Sequence, residues 1–278
     1  MAQFRSTTKQ RHSTAKFTTA LGLILMIAAS IHLAGRSHAN QPDDNPAAHI
    51  LIYTRNGKGF VHKNIDASVA CLENICKTNN WTTHATDDAA VFDTDLSRFD
   101  VIVFSNTNNQ AFTTDDQRSA FQTYIRQGGA FVGIHSACGS ERSWPWFWAN
   151  VGGKFKRHPP FQPFDIKVID SDNPATETLP AVWKWEDECY YLDNLNPDIH
   201  VLLAADMTTV KDSKKDEYPG KVFGNYFPLA WCHQFDGGRQ FYTALGHDPK
   251  HYKDKNFINH LTGGIKWALD EEAVADNN

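Results

Sequence analysis

The chain has 278 residues, 41% of them hydrophobic and 12% aromatic, with 27 basic and 32 acidic side chains. Residues 1–39 hold five of the bases (Arg5, Lys9, Arg11, Lys16 and Arg36) and none of the acids, so the remainder carries 22 bases against 32 acids, a formal −10. So acidic a protein excludes nucleic acid and an anionic membrane surface as natural partners; a small, neutral, polar substrate fits better.

The first 39 residues differ from the rest. After the basic residues an apolar run extends from about Ala20 to Ala34, shorter than the roughly 20 residues of a membrane span. Ser37-His38-Ala39 then puts small residues at both positions a signal peptidase reads. Residues 1–39 are therefore expected to be a secretory signal cleaved after Ala39, with an uncleaved anchor as the alternative. The protein is expected in the periplasm or secreted, touching a membrane only through that segment. Residues 40–48 read as a polar linker, 49–270 as one α/β domain, and 271–278 as a tail. Cys71, Cys76, Cys138, Cys189 and Cys232 all follow the signal, and an odd number leaves at least one unpaired. Cys71 and Cys76, five apart on one helix, stand too far from each other to bridge, so no disulfide scaffold is expected.

In chain order, His49-Ile50-Leu51-Ile52-Tyr53-Thr54 is a continuous apolar run, the mark of a strand buried on both faces. A glycine-containing loop with His62 follows, then helical spacing over residues 64–78. Trp81–Thr86 reads as a second strand and Phe99–Ser105 as a third. Thr113-Thr114-Asp115-Asp116 caps a helix running to Gln127, which Gly128 ends. Strands alternating with helices imply a mostly parallel sheet flanked by helices, in the manner of flavodoxin.

The next stretch is the most informative: Gly128-Gly129-Ala130-Phe131-Val132-Gly133-Ile134-His135-Ser136-Ala137. A short buried strand ends in a small-residue corner, with the outline of a nucleophile elbow and histidine at the nucleophile position. Ligands of open α/β sheets bind outside the carboxyl ends of the strands, which puts His135 and Ser136 at such a place.

The second half is richer in aromatics. Trp144, Trp146, Phe147 and Trp148 surround Pro145; residues 154–160 read as a loop; Phe164–Ile169 reads as a strand. Trp183–Leu192 is aromatic and acidic, and Ile199–Ala205 is another strand. The charged run 211–217 reads as a solvated loop. Residues 230–245 read as an added β-hairpin turning at Asp236-Gly237-Gly238, followed by Gly246-His247. An amphipathic helix from about Lys255 to Leu269 closes the domain.

Four of these pieces resemble the ThuA family, named for a trehalose-utilisation protein: residues 128–137; Gly152-Gly153 with Phe155 and His158-Pro159; Glu186-Asp187-Glu188 with Tyr190; and Trp231 with Gly238-Arg239, Phe241 and Leu245-Gly246-His247. With His62 they span about residues 49–270. The resemblance implies a fold related to the class I glutamine amidotransferases and a role in sugar metabolism, particularly of oxidised (3-keto) disaccharides and glycosides. An amidotransferase needs a cysteine in the elbow; His135 stands there and Cys138 is three residues late, so glutaminase activity is not expected.

The candidate site follows from residue chemistry. His135, His158, His247 and Glu188 are the candidate metal ligands, for a divalent Zn-, Ni- or Mn-like ion, because imidazole and carboxylate are borderline-to-hard donors. No local signature such as His-Glu-x-x-His supports them. Glu188, His135 and His62 are the candidate catalytic groups: a metal would polarise a sugar carbonyl and a base would remove the proton beside it. If Glu186-Asp187-Glu188 is extended, alternation turns at least two of the acids to solvent, and Glu188 is taken as the inward one. Trp231, Trp144, Tyr190 and Ser136 are the candidate substrate-binding residues, the rings covering a pyranose face. The reaction class is an isomerase or lyase acting on a small-molecule sugar; a non-catalytic sugar-binding protein and a metal-dependent hydrolase are the rivals.

Overall fold

The computed structural model describes residues 46–214 and 225–270; the expected signal segment, the expected tail and part of the 211–217 run lie outside these. Eleven strands and four α-helices are arranged as an α/β domain around a nine-stranded mixed sheet, as the sequence leads one to expect. In chain order they are β1 Ala48–Tyr53, α1 Ile65–Thr78, β2 Trp81–Thr86, β3 Val101–Ser105, α2 Asp115–Arg126, β4 Ala130–Ile134, α3 Pro145–Val151, β5 Lys154–Arg157, β6 Gln162–Val168, β7 Val182–Asp187, β8 Tyr191–Asp193, β9 His200–Asp206, β10 Tyr226–Phe235, β11 Gly238–Thr243 and α4 Lys255–Leu269. The sheet order is β2-β1-β3-β4-β11-β10-β9-β6-β7, while β5 and β8 form a separate two-stranded ribbon.

The apolar runs are the parallel core. Every residue of β3 and of β4 is buried, because α1 and α4 cover one face and α2 and α3 the other. On the second face Phe104, Phe112, Phe121, Phe131 and Phe147 pack ring against ring. The local signals act as their chemistry dictates. Thr114 accepts the Gln117 N–H at the start of α2, Asp254 does the same for Phe257 in α4, and Pro145 opens α3. Asp236 and Gly237 both take positive φ (47° and 100°) in the β10–β11 turn, as a two-residue hairpin of matching twist requires.

Direction matters for function. β1, β3, β4 and β11 run parallel, so their carboxyl ends share one edge. From β11 the pairings through β10, β9, β6 and β7 are all antiparallel. Four reversals return β7 to the sense of β11, so its carboxyl end reaches the same edge. The antiparallel half also curls, since Trp183 and Trp185 of β7 meet His260 and Phe257 of α4.

One local reading is corrected. Residues 154–160 are not all loop: Lys154–Arg157 is a strand because β8 supplies its partner. The aromatic run around Pro145 is the short helix α3. Within the described part of the charged run, Lys211, Ser213 and Lys214 are exposed, while the half-buried Asp212 pairs with Arg157 at 2.8 Å. All five cysteines are buried and free.

Candidate functional site

Four strand ends deliver four donors. The loop after β1 carries His62, the corner after β4 carries His135, the chain beyond β7 carries Glu188, and the turn after β11 carries His247. One donor atom from each lies within 4.8 Å of every other. The elbow outline is real: His135 takes φ 51° and opens a tight turn over His135–Gly139. That left-handed backbone is uncommon for a non-glycine residue and marks functional corners. The Tyr242 hydroxyl donates to the His135 carbonyl at 2.8 Å and holds the corner.

The imidazoles are oriented from behind. His135 Nδ1 donates to the Ala244 carbonyl at 2.8 Å, which leaves Nε2 as the bare nitrogen facing the cluster. His62 Nδ1 is 3.2 Å from Ser136 Oγ. Such outer hydrogen bonds fix the tautomer and rotation of a ligating histidine. Burial pulls His62 down to about 4, with the nearby His247 adding to it; burial likewise takes His135 well below its ordinary value. Both are neutral near pH 7, the form that can donate a lone pair.

Glu188 balances them. Burial pushes its carboxyl up, but His247 and His158 pull it further down, so it is ionised. Its Oε2 lies 3.0 Å from His247 Nδ1 and 3.8 Å from His135 Nε2, and its Oε1 is 3.5 Å from His158 Nε2. Burial lowers His247, yet the Glu188 charge outweighs it and the net shift is upward. The His247 Nδ1 nitrogen is buried with no aligned hydrogen-bond partner. An unsatisfied nitrogen 3.0 Å off-axis from a carboxylate oxygen is what two ligands of one ion present. Three neutral-capable imidazoles and a carboxylate suit a divalent transition ion, so the donor set fits one.

A cavity of about 280 Å³ opens beside the cluster, lined by His62, Ser136, His158, Glu188 and Tyr190 with Phe60, Phe155, Asn108, Gly139 and Arg142. The Tyr190 hydroxyl is 2.9 Å from His135 Nε2 and 3.5 Å from His62 Nε2; burial holds it un-ionised. His158 donates from Nδ1 to the Pro159 carbonyl at 2.8 Å, which leaves Nε2 on the cavity side, 3.5 Å from Glu188 Oε1. It stands beside the four-donor group rather than in it.

The structure thus brings together Glu188, His135, His62, His247, Tyr190, Ser136 and His158. It does not bring in two of the tryptophans. Trp231 is wholly buried; its indole donates to the Val151 carbonyl at 2.9 Å and stacks on Tyr242. Trp144 packs on Trp146 and Phe112. Trp231 is core and Trp144 is half-buried against the core; neither lines the cavity, where Phe60 and Phe155 supply the apolar walls instead.

Asp187 follows the alternation of β7, on the buried face with Trp183 and Trp185, and Glu188 turns inward too because the strand ends at Asp187. Only Glu186 is exposed; Asp187 is fully buried. Its carboxylate accepts N–H groups from Trp185 Nε1, Glu188, Gly246 and His247 at 3.0, 2.8, 2.8 and 3.3 Å. It therefore ties the backbone of two donors together. Gly246 makes the turn at φ 115°, a conformation only glycine adopts freely. Asn108 could have been found by applying to β3 the strand-end rule that singled out His135.

An open α/β sheet with histidine at the corner after a central parallel strand and further donors at neighbouring strand ends defines the class of domain. Residues 49–268 match the family model ThuA, described as trehalose utilisation, and the chain belongs to the ThuA family. A ThuA-like protein from Bacteroides uniformis superposes with a TM-score of 0.65 at 25% identity, over 83% of this chain and 94% of its own. One from Parabacteroides merdae gives 0.63 at 19% identity, over 81% and 90%. An α-L-fucosidase from Paenibacillus thiaminolyticus shares the fold at 0.53 and 11% identity, over 82% of this chain and 34% of its own. No curated protein matches the sequence.

Proposed function

We propose that this ThuA protein is an exported enzyme of carbohydrate metabolism that removes a proton next to the carbonyl of a sugar or 3-keto-glycoside. The convergence of His62, His135, His247 and Glu188 beside a sugar-sized cavity carries the reading. These four would hold a divalent transition ion. When bound, such an ion supplies a positive charge that polarises a carbonyl oxygen.

The chain's own residues do the rest. His158 Nε2, on the cavity side and 3.5 Å from Glu188 Oε1, is the base that takes the proton from the carbon beside the carbonyl. The electron pair left behind moves toward the carbonyl oxygen, and the Tyr190 hydroxyl, kept protonated by burial, donates a hydrogen bond to it. Phe60 and Phe155 cover apolar ring faces and exclude water, and Ser136 and Asn108 offer polar contacts for hydroxyls. Returning the proton to the former carbonyl carbon, with the adjacent hydroxyl's proton passing to the former carbonyl oxygen, gives an isomerase. If instead the C–O bond to the glycosidic oxygen breaks and the protonated His158 gives its proton to that oxygen, the product is that of a lyase. His158 is placed here as base and not as ligand, since Glu188 is already committed to the imidazoles. Export rests on the basic, apolar and small-residue succession of residues 1–39.

The test is elemental analysis of residues 40–278 dialysed without chelator, beside His135→Ala, His62→Ala and, as an exposed control, His84→Ala. Near-stoichiometric transition metal in the wild type and the control, lost in both site variants, is the expected result. No metal in any of them, even after reloading, would sink the metal-assisted mechanism.

A further inference from the structure

The cavity has one fixed cation in its lining, Arg142, and the cluster does not use it. Its guanidinium is held in place on several sides. Nε donates to the Gly139 carbonyl at 3.0 Å and Nη2 to Asn108 Oδ1 at 3.3 Å. The group lies 5.4 Å from the Phe155 ring centroid. It sits over the bare Cα of Gly139, where an added Cβ would come 2.7 Å from Asn108 Oδ1 and 3.3 Å from Arg142 Nη2. Asn108 is itself tied down, accepting the Asn109 N–H at 3.0 Å and donating to the Phe60 carbonyl at 3.3 Å.

No carboxylate answers this charge among the described residues. The sequence neighbour Glu141 is the obvious partner, but it takes φ 47° and turns inward. There it accepts the Ala111 and Phe112 N–H groups and pairs with Arg118 at 2.8 Å. Glu188 is engaged with His247, His158 and His135. Arg142 is exposed at the rim of the cavity, and its guanidinium, anchored by Gly139 and Asn108, keeps donors with no partner among the described residues, in a chain whose acids outnumber its bases. An oriented guanidinium with free donors matches the two oxygens of a carboxylate better than it matches single hydroxyls.

We infer that Arg142, positioned by Asn108 and Gly139, is a carboxylate-binding subsite, and that the substrate is a sugar carrying a carboxylate, a uronic or aldonic acid residue. This rests on the reading of the cavity as a sugar site.

Titration calorimetry with methyl glucuronide and methyl glucoside tests it, using residues 40–278 both as isolated and after chelator treatment. The chelated sample separates binding at Arg142 from a carboxylate that merely coordinates an ion. The wild type is expected to bind the glucuronide at least tenfold more tightly in both samples. Arg142→Ala should erase that preference and leave the glucoside unchanged, and Arg142→Lys should restore only part of it. Equal affinity for the two sugars in the wild type, or an equal loss of both in Arg142→Ala, overturns the carboxylate subsite while leaving the sugar site standing. Binding of neither sugar by any variant overturns both.

Discussion

Replacing Asp187 with asparagine keeps shape and volume and removes one acceptor oxygen. Oδ2 receives the Trp185 indole N–H and the Gly246 N–H; Oδ1 receives the Glu188 and His247 N–H groups. Whichever oxygen becomes an amide, two buried donors then face another donor. Each unsatisfied buried donor costs about 1–3 kcal/mol, so Asp187→Asn should destabilise by about 2–6 kcal/mol. The disturbed segments carry Glu188 and His247, so metal affinity should fall as well, by about 10–100-fold as for other groups that orient ligands. Urea unfolding gives the first number and competition with a coloured chelator the second. A variant within about 0.5 kcal/mol of wild type, the ordinary scatter of a surface change, would refute this account of Asp187 as the tie between β7 and the last strand's turn.

Other outcomes follow from the same geometry. Burial holds His260 at about 4 against an ordinary 6.5; between those values the unfolded chain binds the extra proton and the folded one does not. Stability should therefore drop as pH falls from 6.5 through 4, by up to about 3 kcal/mol from this group, and His260→Gln should flatten that limb of a urea-midpoint profile. If the four donors hold an ion, exhaustive chelation should lower the melting temperature, and restoring metal to about 100 times its Kd should regain about 2.7 kcal/mol; a melting temperature indifferent to both would count against the site. Trp231→Phe should cost about 1–3 kcal/mol by stranding the Val151 carbonyl and leave sugar affinity alone, while Phe155→Ala should weaken sugar binding. The reverse pattern would restore Trp231 to the site.

The legible parts of the sequence were those where local chemistry and tertiary demand coincide. β1, β3 and β4 announced themselves because a strand buried on both faces must be apolar throughout. α2 showed its start in Thr114, and the hairpin showed its turn in Asp236-Gly237. His135 was readable because a strand end in a parallel sheet is a ligand position whatever the neighbours are. The losses came where partners distant in sequence decide. Lys154–Arg157 has no strand pattern of its own and is extended because Tyr191–Asp193 lies beside it. Trp231 sits on a strand whose residues are buried on both sides, so its type could not tell cavity from core. Alternation from Trp183 and Trp185 assigns Asp187 to the buried face, where it lies, but would turn Glu188 outward; Glu188 comes inward because the strand stops before it. Arg142 gave no signal, since its free charge depends on Glu141 turning the other way.

The donors come from loops after the first, fourth, seventh and eleventh strands, so no short contiguous fragment of the chain contains the cluster. The site is complete only once β11 has docked against β4. A chain that crosses a membrane unfolded would arrive without its ion and acquire it on the far side, from whatever metal that compartment supplies. The identity of the ion would then be set by geography as much as by ligand preference, and the same polypeptide folded in the cytoplasm could carry a different one.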